Sequence, residues 1–330
     1  MKKIVVLGSN SFAGSAFVDY ALDKDQFITG ISRSPEPNDV NLVYAGNTKR
    51  ESSFNFHQLD INNDFDELID VIAQMKPEIV VDFAGQGMVA PSWDWPEQWY
   101  QTNIVAKVKL HNYLKSMTCL EKYVRVSTPE VFGDCAELIS EDAVYNPSTP
   151  YAVSHAAIDM SLKAFKKQYG FPVIFTRFAN FYGPSQQLYR IIPKTIICAL
   201  TGEPLFLHGG GESMRAFIHG YDVSTGIWKS IEKGDLGESY HFSTTEFIKI
   251  YDLVKLVADT LDVDLAKFVK ISKELPGKDK AYFMDASKAQ DQLDWKPTFN
   301  LKEGIDSTIL WVKKNLDTIM SLPNEYVHRP

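Results

Sequence analysis

Short apolar runs alternate with longer amphipathic stretches through the first half of the chain. The apolar runs, rich in β-branched and aromatic residues, are 4–7, 27–32, 54–59, 79–83, 123–127 and 172–177. Between them, apolar residues recur at helical spacing over 12–22, 64–75, 96–117 and 150–169. This alternation is typical of a parallel sheet covered by helices on both faces. Runs so continuously apolar predict strands that are buried on both sides.

The pattern changes near residue 180. Glycines and prolines interrupt the second half of the chain, and helical spacing returns over 191–201, 250–261 and 301–315. This change predicts a doubly wound α/β domain over 1–179 and a smaller α/β lobe over 180–330. The run 237–242 has the composition of a strand, and we expect it to return to the first sheet.

The composition excludes several classes of partner. Of the 330 residues 45% are hydrophobic, and the formal net charge is -8. Nucleic acid or an anionic membrane would require a basic surface, so neither partner is expected. Cys119, Cys135 and Cys198 are odd in number and widely spaced, which predicts neither a disulfide framework nor a zinc site. No apolar run reaches the length of a membrane span, and a cytoplasmic location is expected.

A glycine turn follows the first apolar run and opens the first helical stretch. Its sequence is Gly8-Ser9-Asn10-Ser11-Phe12-Ala13-Gly14. In such a turn the backbone amides and the helix N-terminus can hold a pyrophosphate. The usual middle glycine is absent, and a plain structural turn is the alternative. Its place in the alternating unit favours a Rossmann-type domain that binds a nicotinamide dinucleotide at Gly8, Asn10, Ser11, Phe12 and Gly14.

The residues at the end of the second strand choose between NAD and NADP in this fold. An acid there accepts a hydrogen bond from the ribose 2′-hydroxyl of NAD, whereas an arginine accommodates the 2′-phosphate of NADP. Here Ser32 and Arg33 occupy the position, and the acid is missing. A solvated surface arginine is the alternative. We expect NADP to be the favoured cofactor, with NAD as the alternative.

A tyrosine and a histidine share one face of the helix predicted at 150–169. Thr149 and Pro150 have the features of an N-cap and a first helical residue, which places Tyr151 and His155 one turn apart. Tyrosine acts as a base towards a sugar hydroxyl when a nearby cation lowers its pKa. His155 would supply a weak, pH-dependent cation and could bond the nicotinamide ribose. Core packing is the alternative for such a pair.

Several motifs connect the edge of the predicted sheet to the tyrosine helix. They are Ser-Thr-Pro-Glu-Val-Phe-Gly at 127–133, Tyr-Ala-Val-Ser-His at 151–155, Asn-Phe-Tyr-Gly-Pro at 180–184, Arg-Ile-Ile-Pro at 190–193, Arg-Ala-Phe-Ile at 215–218 and Pro-Gly-Lys-Asp at 276–279. In this order they resemble the nucleotide-sugar 4,6-dehydratases, such as those of dTDP-glucose and GDP-mannose, and their epimerase and decarboxylase relatives. These enzymes are extended short-chain dehydrogenase/reductases. The resemblance spans nearly the whole chain.

The resemblance implies a nicotinamide dinucleotide on the first domain and a nucleotide-diphosphate sugar against the smaller lobe. It implies cofactor contacts at Gly8, Ser11, Gly14, Asp60, Ile61, Ala84, Gly85, Asn103, Tyr151 and His155. It implies substrate contacts at Gln86, Thr128, Asn180, Arg190, Leu207, Arg215 and Asp279. Arginines suit a diphosphate because each guanidinium offers a planar fork of donors. The histidines show no metal-ligand spacing with carboxylates, so no metal site is expected.

The resemblance also implies catalytic roles. Tyr151 would take the proton of the sugar 4-hydroxyl, Thr128 would bond the same oxygen, and Glu130 would remove the C5 proton that a 4-ketone makes acidic. Water would leave from C6 and hydride would return there, giving a 4-keto-6-deoxy sugar nucleotide. Two residues depart from the family pattern. Pro129 stands where many of these dehydratases have an aspartic acid, and His155 stands where they have a lysine.

Two alternatives stay open. A 4-epimerase or 4-oxidoreductase of the same fold would need Tyr151 and Thr128 but no base at Glu130. A non-catalytic NADP-binding sensor would explain Pro129 and His155 as the marks of lost activity.

Two further features concern the surface. The helices predicted at 96–117 and 150–169 carry apolar faces that relatives use to dimerise, and a homodimer is expected. Core packing alone is the alternative explanation of these faces. Trp93, Trp95 and Trp99 cluster before the first of these helices. They are expected to pack a loop or to form a wall over the sugar or base.

Overall fold

The computed structural model describes residues 1–273 and 281–329. Its strands are β1 (Lys3–Leu7), β2 (Phe27–Ser32), β3 (Phe54–Gln58), β4 (Ile79–Asp82), β5 (Lys122–Ser127), β6 (Cys135–Ile139), β7 (Val173–Phe178), β8 (Asn180–Tyr182), β9 (Leu205–His208), β10 (Met214–His219), β11 (Ser239–Phe242), β12 (Phe247–Lys249), β13 (Val269–Ser272) and β14 (Tyr282–Met284). Its α-helices are α1 (Phe12–Asp23), α2 (Arg50–Ser53), α3 (Phe65–Met75), α4 (Pro96–Tyr100), α5 (Lys107–Leu114), α6 (Pro150–Tyr169), α7 (Ile191–Thr201), α8 (Gly220–Lys233), α9 (Ile250–Leu261), α10 (Ser287–Leu293), α11 (Leu301–Lys314) and α12 (Leu316–Met320).

The central sheet is parallel, with the strand order β11-β7-β5-β4-β1-β2-β3 in the described part of the chain. β1 pairs with β2 on one side and with β4 on the other. The strand order therefore reverses at β1. Open α/β sheets bind their ligands in the crevice at this reversal, outside the carboxyl ends of the strands. The doubly wound fold expected from the sequence is confirmed.

The two faces of the sheet have separate cores because side chains alternate along each strand. Ile4 and Val6 of β1 belong to the core on the side of α1 and α8. Val5 and Leu7 belong to the opposite core, together with Leu68 of α3. All five side chains are at most 2% exposed. Burying a side chain of this size stabilises the fold by roughly 1.5–3 kcal/mol.

Helix α6 has the bounds that its capping residues predict. The Thr149 hydroxyl accepts a hydrogen bond from the Ala152 amide (3.1 Å), and Pro150 occupies the first helical position. Gly170 ends the helix with a φ of 68°, a conformation that glycine adopts without strain. The helix expected at 96–117 differs from the prediction. It consists of α4, a π-helical stretch at Gln101–Ala106 and α5, and it ends at Leu114.

The second half of the chain builds short sheets around a helical core. In the described residues these sheets have the orders β12-β10-β8, β13-β9 and β14-β6. The helices α7, α9 and α11 pack together through Ile196, Val257 and Ile305, which have no exposed surface. β11 departs from this lobe and pairs in parallel with β7 at the end of the central sheet. The division of the chain at residue 179 stays a prediction.

Candidate active site

The glycine turn after β1 brings three backbone segments into close contact. Gly8 has a φ of +80°, and a Cβ there would lie 2.8 Å from the amide nitrogen of Ala84. A Cβ on Gly14 would lie 2.3 Å from the Gly8 carbonyl oxygen. Ser11 caps α1, since its hydroxyl accepts from the Gly14 amide (3.1 Å) and donates to the Gly8 carbonyl (2.7 Å). The turn therefore holds the N-terminus of α1 at the crevice, where it suits a pyrophosphate.

The neighbouring residues of the turn hold the end of β2. The Asn10 side chain donates to the carbonyl oxygens of Ser34 (2.9 Å) and Pro35 (3.0 Å). The Asn10 amide donates to the hydroxyl of Ser32 (3.1 Å). The Phe12 ring is buried in the protein, so only its backbone can face a ligand at the turn. These contacts fix the loop that follows β2 beside the glycine turn.

Arg33 lies in that loop and contacts a distant part of the chain. Its Nη2 donates to the backbone carbonyl of Arg329 (3.1 Å), and Nη1 of Arg329 donates to the hydroxyl of Ser34 (3.0 Å). Gln86, which follows β4, donates through Nε2 to the same Arg329 carbonyl (2.8 Å). No sequence motif marks Arg329. Its position depends on contacts between residues almost 300 positions apart, which a local pattern does not reveal.

Two of the clustered tryptophans, Trp95 before α4 and Trp99 within it, hold the same distant segment. The His328 ring stacks on Trp95 at 4.8 Å and on Trp99 at 5.3 Å between ring centroids, with interplanar angles of 2° and 8°. Nε2 of His328 lies 2.7 Å from Oε1 of Gln98. Of the two expectations for this cluster, packing against a loop therefore applies to Trp95 and Trp99.

Asp60 and Ile61, expected near the adenine, begin the turn after β3. The Asp60 carboxylate accepts from the Asn62 amide (2.7 Å), and the Asp60 amide donates to the carboxylate of Asp64 (2.8 Å). Ile61 packs against the core on its side of the sheet. This turn therefore has a fixed shape at the outer edge of the crevice.

The loop after β4 is fixed by Asn103. The Asn103 carbonyl oxygen accepts from the Gln86 amide (2.8 Å), and its amide group donates to the Gln86 carbonyl (3.1 Å) and to the Ser154 hydroxyl (3.0 Å). A Cβ on Gly85 would lie 2.9 Å from the same carbonyl oxygen. Asn103 thus uses both of its side-chain protons within the protein. It ties the loop of Ala84 and Gly85 to helix α6.

Thr128, Glu130 and Tyr151 come together at the carboxyl end of β5. Thr128 hydrogen-bonds the Tyr151 side chain, and its hydroxyl accepts from the Glu130 amide (3.3 Å). Glu130 lies in a short 3-10 turn, Pro129–Phe132, and is half-buried like Tyr151. The structure therefore brings a carboxyl group (Glu130), a phenol (Tyr151) and a hydroxyl (Thr128) together at one point of the crevice.

The Tyr151 hydroxyl is a phenol at neutral pH in this structure. Burial raises the pKa of Tyr151 to about 12, and the charge of Glu130 adds to that increase. The Thr128 hydrogen bond and the cations Arg190 and Arg125 act in the opposite direction. Positive charge beside the ring lowers this pKa and therefore makes Tyr151 a better proton acceptor.

His155 has a different charge state from the one expected. Its ring packs on that of Tyr151 with 4.6 Å between centroids, and its Nδ1 lies 2.9 Å from Nη2 of Arg125. Burial, followed by the charges of Arg125, Lys107 and Arg177, lowers the pKa of His155 well below its ordinary value. The expectation of a pH-dependent cation at His155 is therefore wrong, because the buried ring stays neutral.

A buried charge cluster behind His155 was not predicted. Arg125 lies between two carboxylates, with Nε 3.3 Å from Asp159 and Nη1 3.7 Å from Asp82. Arg177 donates to Asp159 (2.8 Å), and Lys107 is ion-paired with Asp82. All five side chains are at most 1% exposed. The signal was available, because Arg125 and Arg177 are charged residues inside strands that are mostly apolar.

Asn180 and Arg215, expected at the diphosphate, meet at one aromatic side chain. The guanidinium carbon of Arg215 lies 4.4 Å from the ring centroid of Tyr282. The Tyr282 hydroxyl donates to the Asn180 side chain (3.0 Å). Arg215 is 7% exposed and also donates to the carbonyl of Met214 (2.7 Å). Tyr282 thus fixes two polar groups that sequence reasoning assigned to the substrate.

The remaining substrate contacts expected from the sequence occupy different environments. Arg190 is exposed at the start of α7, and its charge reaches Tyr151. The Leu207 side chain is buried in the core beneath β9, so only its backbone can face a base. Gln86 is 3% exposed and lies between Asn103 and Arg329. Asp279 lies outside the described residues.

Residues 1–273 and 281–329 contain neither a membrane-spanning helix nor a cluster of metal ligands. No helix in them is both long enough and apolar enough to cross a membrane. They contain no group of three or more His, Cys, Asp or Glu side chains arranged to hold a metal ion.

Comparison with protein families and curated proteins gives matches along most of the chain. The model of the family described as GDP-mannose 4,6 dehydratase matches residues 5–308. The dTDP-glucose 4,6-dehydratase of Salmonella typhimurium is 29% identical over 95% of this chain and 93% of that protein. The dTDP-glucose 4,6-dehydratase 1 of Escherichia coli is 30% identical over 95% of this chain and 93% of that protein.

Solved structures with the same fold include a 4,6-dehydratase and a 4-epimerase of nucleotide sugars. The dTDP-glucose 4,6-dehydratase from Bacillus anthracis, in complex with NAD, has a TM-score of 0.85 and 28% identity, covering 96% of this chain and 98% of that one. The UDP-glucose 4-epimerase from Thermotoga maritima, with UDP-glucose, has a TM-score of 0.86 and 25% identity, covering 95% and 99%. The similarity therefore includes both the central sheet and the second half of the chain.

Proposed function

The chain belongs to the GDP-mannose 4,6-dehydratase family, and from that premise we propose that it is an NDP-sugar 4,6-dehydratase. Such an enzyme converts a nucleotide-diphosphate sugar into its 4-keto-6-deoxy derivative. The observation that carries the proposal is the convergence of Thr128, Glu130 and Tyr151 at the carboxyl end of β5. Family membership supplies the reaction class, and these side chains supply the proton acceptors that the reaction needs.

The residues divide the proton transfers between them. Tyr151 accepts the proton of the 4-hydroxyl while Thr128 bonds the same oxygen. Glu130 then removes the C5 proton, which the adjacent 4-ketone makes acidic. Because Pro129 has no acidic proton, Glu130 passes the C5 proton to the departing 6-hydroxyl, and water leaves. Loss of water leaves a double bond between C5 and C6. When hydride returns to C6, C5 regains one proton, which balances the proton that Tyr151 accepted.

The crevice above β1 fits a nicotinamide dinucleotide. Gly8 and Gly14 have no room for a Cβ, and α1 directs its N-terminal amides at the same turn. When bound, the dinucleotide supplies a reversible hydride acceptor for the sugar. The residues that would hold it are Gly8, Asn10, Ser11, Phe12 and Gly14 at the pyrophosphate, Asp60 and Ile61 at the adenine, Ser32 and Arg33 at the ribose, and Ala84, Gly85, Asn103, Tyr151 and His155 towards the nicotinamide.

NADP is the proposed form of the cofactor. Arg33 follows β2, and the nearest carboxylate in sequence, Glu36, already accepts from Arg50 (3.0 Å) and from the Tyr44 hydroxyl (2.8 Å). A charge-assisted contact to the 2′-phosphate should make the dissociation constant of NADP about tenfold lower than that of NAD. Calorimetric titration of both dinucleotides measures this ratio. Tighter binding of NAD, the cofactor in the related dehydratase structure, would reject the proposal.

The substrate side of the crevice is formed by the second half of the chain. Asn180, Arg190 and Arg215 are proposed to bind the nucleotide diphosphate, because each offers donors or positive charge to phosphate oxygens. Gln86 and the Leu207 backbone are proposed to contact the sugar and the base. Asp279, which lies outside the described residues, is also proposed to contact the substrate.

The mass of the product tests the proposed reaction. The protein is incubated with dTDP-glucose and with GDP-mannose, and the nucleotide sugars are analysed by mass spectrometry. A dehydratase yields a product lighter by one water molecule. A 4-epimerase, which the similarity to the Thermotoga maritima enzyme supports as second candidate, leaves the mass unchanged and changes the sugar. A non-catalytic NADP-binding sensor would convert neither compound.

A homodimer is proposed through α6 and the adjacent helix. Val153 and Met160 lie seven residues apart on α6 and are 37% and 61% exposed. Val105, in the π-helical stretch that packs against α6, is 44% exposed. An apolar strip of this kind is typical of a helix interface between subunits. Met160→Glu should therefore shift the protein from dimer to monomer in light-scattering chromatography. Leu310→Glu, at an exposed apolar residue of α11, serves as the control, and a monomeric wild type would contradict the interface.

A further inference from the structure

The tautomer of His155 is fixed by its neighbour. Nδ1 of His155 and Nη2 of Arg125 are 2.9 Å apart. A guanidinium has donors and no acceptor, so Nδ1 must accept this hydrogen bond. The neutral ring then carries its one proton on Nε2. Within the described residues no protein acceptor bonds that Nε2, and the donor is available to a ligand in the crevice.

Arg125 also belongs to a cluster with surplus positive charge. In the described residues it is joined by Lys107 and Arg177, and these three cations face two carboxylates, Asp82 and Asp159. Although burial opposes ionisation, Lys107 and Arg125 hold the pKa of Asp82 below its ordinary value. Burial lowers the pKa of Lys107 to about 8, which leaves it charged at neutral pH. One formal positive charge is therefore not balanced inside the cluster.

This surplus charge acts on the proposed proton acceptor. The Arg125 charge favours the ionised form of Tyr151, as does that of Arg190, while Glu130 opposes it. The His155 ring lies between Arg125 and Tyr151, in contact with both. An arginine stays charged across the whole working range of pH, which a histidine does not.

Resting on the proposed dehydratase function, we propose that Arg125 is a positioning residue of the reaction. It holds His155 in the Nε2–H tautomer, whose donor binds the dinucleotide, and it brings the positive charge of the buried cluster to Tyr151. Arg125 thus supplies the permanent positive charge, and Nε2–H of His155 supplies the hydrogen-bond donor for the ligand. Positive charge beside Tyr151 comes from Arg190 and from the cluster through Arg125, and not from protonated His155.

The first test does not depend on any activity. Nitrogen NMR of the labelled protein without substrate should show His155 with a bare Nδ1 and a protonated Nε2, unchanged from about pH 6 to 8. The signals are assigned by their disappearance in His155→Gln. Arg125→Met, which removes the donor and keeps the bulk, should give a mixed tautomer. A wild-type ring protonated on Nδ1, or titrating within that range, would overturn the proposal even if the enzyme is an active dehydratase.

The second test is the pH dependence of turnover. Arg125→Met should lower kcat by about 100-fold and move the acidic limb of the profile upward by about one pH unit, because Tyr151 loses a neighbouring cation. Arg125→Lys should restore the position of the limb in large part, since the charge returns. The other charged groups that act on Tyr151 are Glu130 and Arg190, and those that act on His155 are Lys107 and Arg177. All four residues are kept in Arg125→Met and in Arg125→Lys.

Matched variants separate this role from a structural one. Arg177 is the second arginine that pairs with Asp159, and it does not hydrogen-bond His155. Arg177→Lys should therefore keep the acidic limb of the pH profile at its wild-type position. His155→Gln retains a side-chain N–H donor and should keep more activity than His155→Phe, by about tenfold. These histidine variants also serve if Arg125→Met does not fold. An unmoved limb in Arg125→Met, or equal activities of the two histidine variants, would overturn the proposal.

A second inference concerns the segment 323–329, which crosses the crevice. Arg33 follows β2 and Gln86 follows β4, the two strands on either side of β1. Both side chains donate to the Arg329 carbonyl, at 3.1 and 2.8 Å. The stacking of His328 on Trp95 and Trp99 holds the segment in this place. The Arg329 guanidinium reaches the Ser34 hydroxyl (3.0 Å), beside Arg33.

We infer that the segment 323–329 completes the dinucleotide site, with Arg329 as a second cation beside Arg33 for the 2′-phosphate. This inference rests on the proposed use of NADP. Two guanidinium groups can surround a phosphate with parallel hydrogen bonds, whereas one contacts a single side of it. The wild-type ratio of NADP to NAD affinity tests the cofactor proposal separately.

Binding titrations of Arg329→Ala test the inference. The dissociation constant for NADP should rise about tenfold, while that for NAD should change less than about twofold. His328→Ala, which loosens the segment and keeps Arg329, should also weaken NADP binding. Lys313→Ala removes one positive charge from an exposed helix position and should change neither constant. Unchanged or tighter NADP binding in Arg329→Ala, or an equal loss for both dinucleotides, would overturn the inference.

Discussion

Glu130→Gln is expected to stop formation of the 4-keto-6-deoxy product and to leave oxidation at C4 in place. A glutamine cannot remove the C5 proton, and a positioned general base of this kind accelerates a reaction by about 10²–10⁴-fold. The hydrogen bond between Tyr151 and Thr128 does not involve the Glu130 carboxylate, because Thr128 contacts Glu130 through its backbone amide. The loss of charge even favours ionised Tyr151, because Glu130 opposes that form.

Three measurements identify this block. Product lighter by one water should fall below detection, deuterium from solvent should no longer enter at C5, and the near-ultraviolet absorbance of the reduced cofactor should still rise when sugar is added. Tyr151→Phe is the matched variant, and it should abolish all three signals because no oxygen accepts the 4-hydroxyl proton. If Glu130→Gln turned over at the wild-type rate, the enzyme would be a 4-epimerase or 4-oxidoreductase, which needs no base at that position.

The architecture was predictable because its signals are local. The apolar runs at 4–7 and 79–83 became β1 and β4, and the helices α6, α7 and α9 have the bounds that their apolar spacing predicts. Capping by Thr149, Pro150 and Gly170 acts over a few residues, so the sequence contains all that is needed. The strands β8, β9 and β12 were harder to recognise, since three or four residues are too few to establish a period.

The chemistry of the site was only partly predictable. Motif order places Thr128, Glu130 and Tyr151 near one another, and the structure brings the three together. The charge state of His155 depends on Arg125, thirty residues away in the chain and on a different element. Desolvation and through-space charge determine that state, and neither has a signature in the local sequence. The role of Arg329 is hidden for the same reason.

Asp159→Asn is expected to destabilise the fold by about 3–5 kcal/mol. The Asp159 carboxylate has no exposed surface and accepts from Arg125, Arg177 and the Ser127 hydroxyl, at 3.3, 2.8 and 2.7 Å. Asparagine keeps the shape but removes the negative charge, so three cations, Arg125, Arg177 and Lys107, stay buried against one remaining carboxylate of the cluster. An uncompensated buried charge costs far more than the ion pair itself contributes, because water cannot solvate it.

Asp294→Asn is the matched control for that cost. Asp294 also faces two cations, Lys229 and Lys233, at 3.7 and 3.6 Å, but it is 81% exposed. Water and salt screen such a pair, so its loss should change stability by less than about 1 kcal/mol. Urea unfolding of both variants, followed by fluorescence, gives the two free energies of unfolding. Equal values would show that the buried cluster is relieved by water or by a shifted protonation state, and the surplus positive charge assigned to it beside Tyr151 would then be absent.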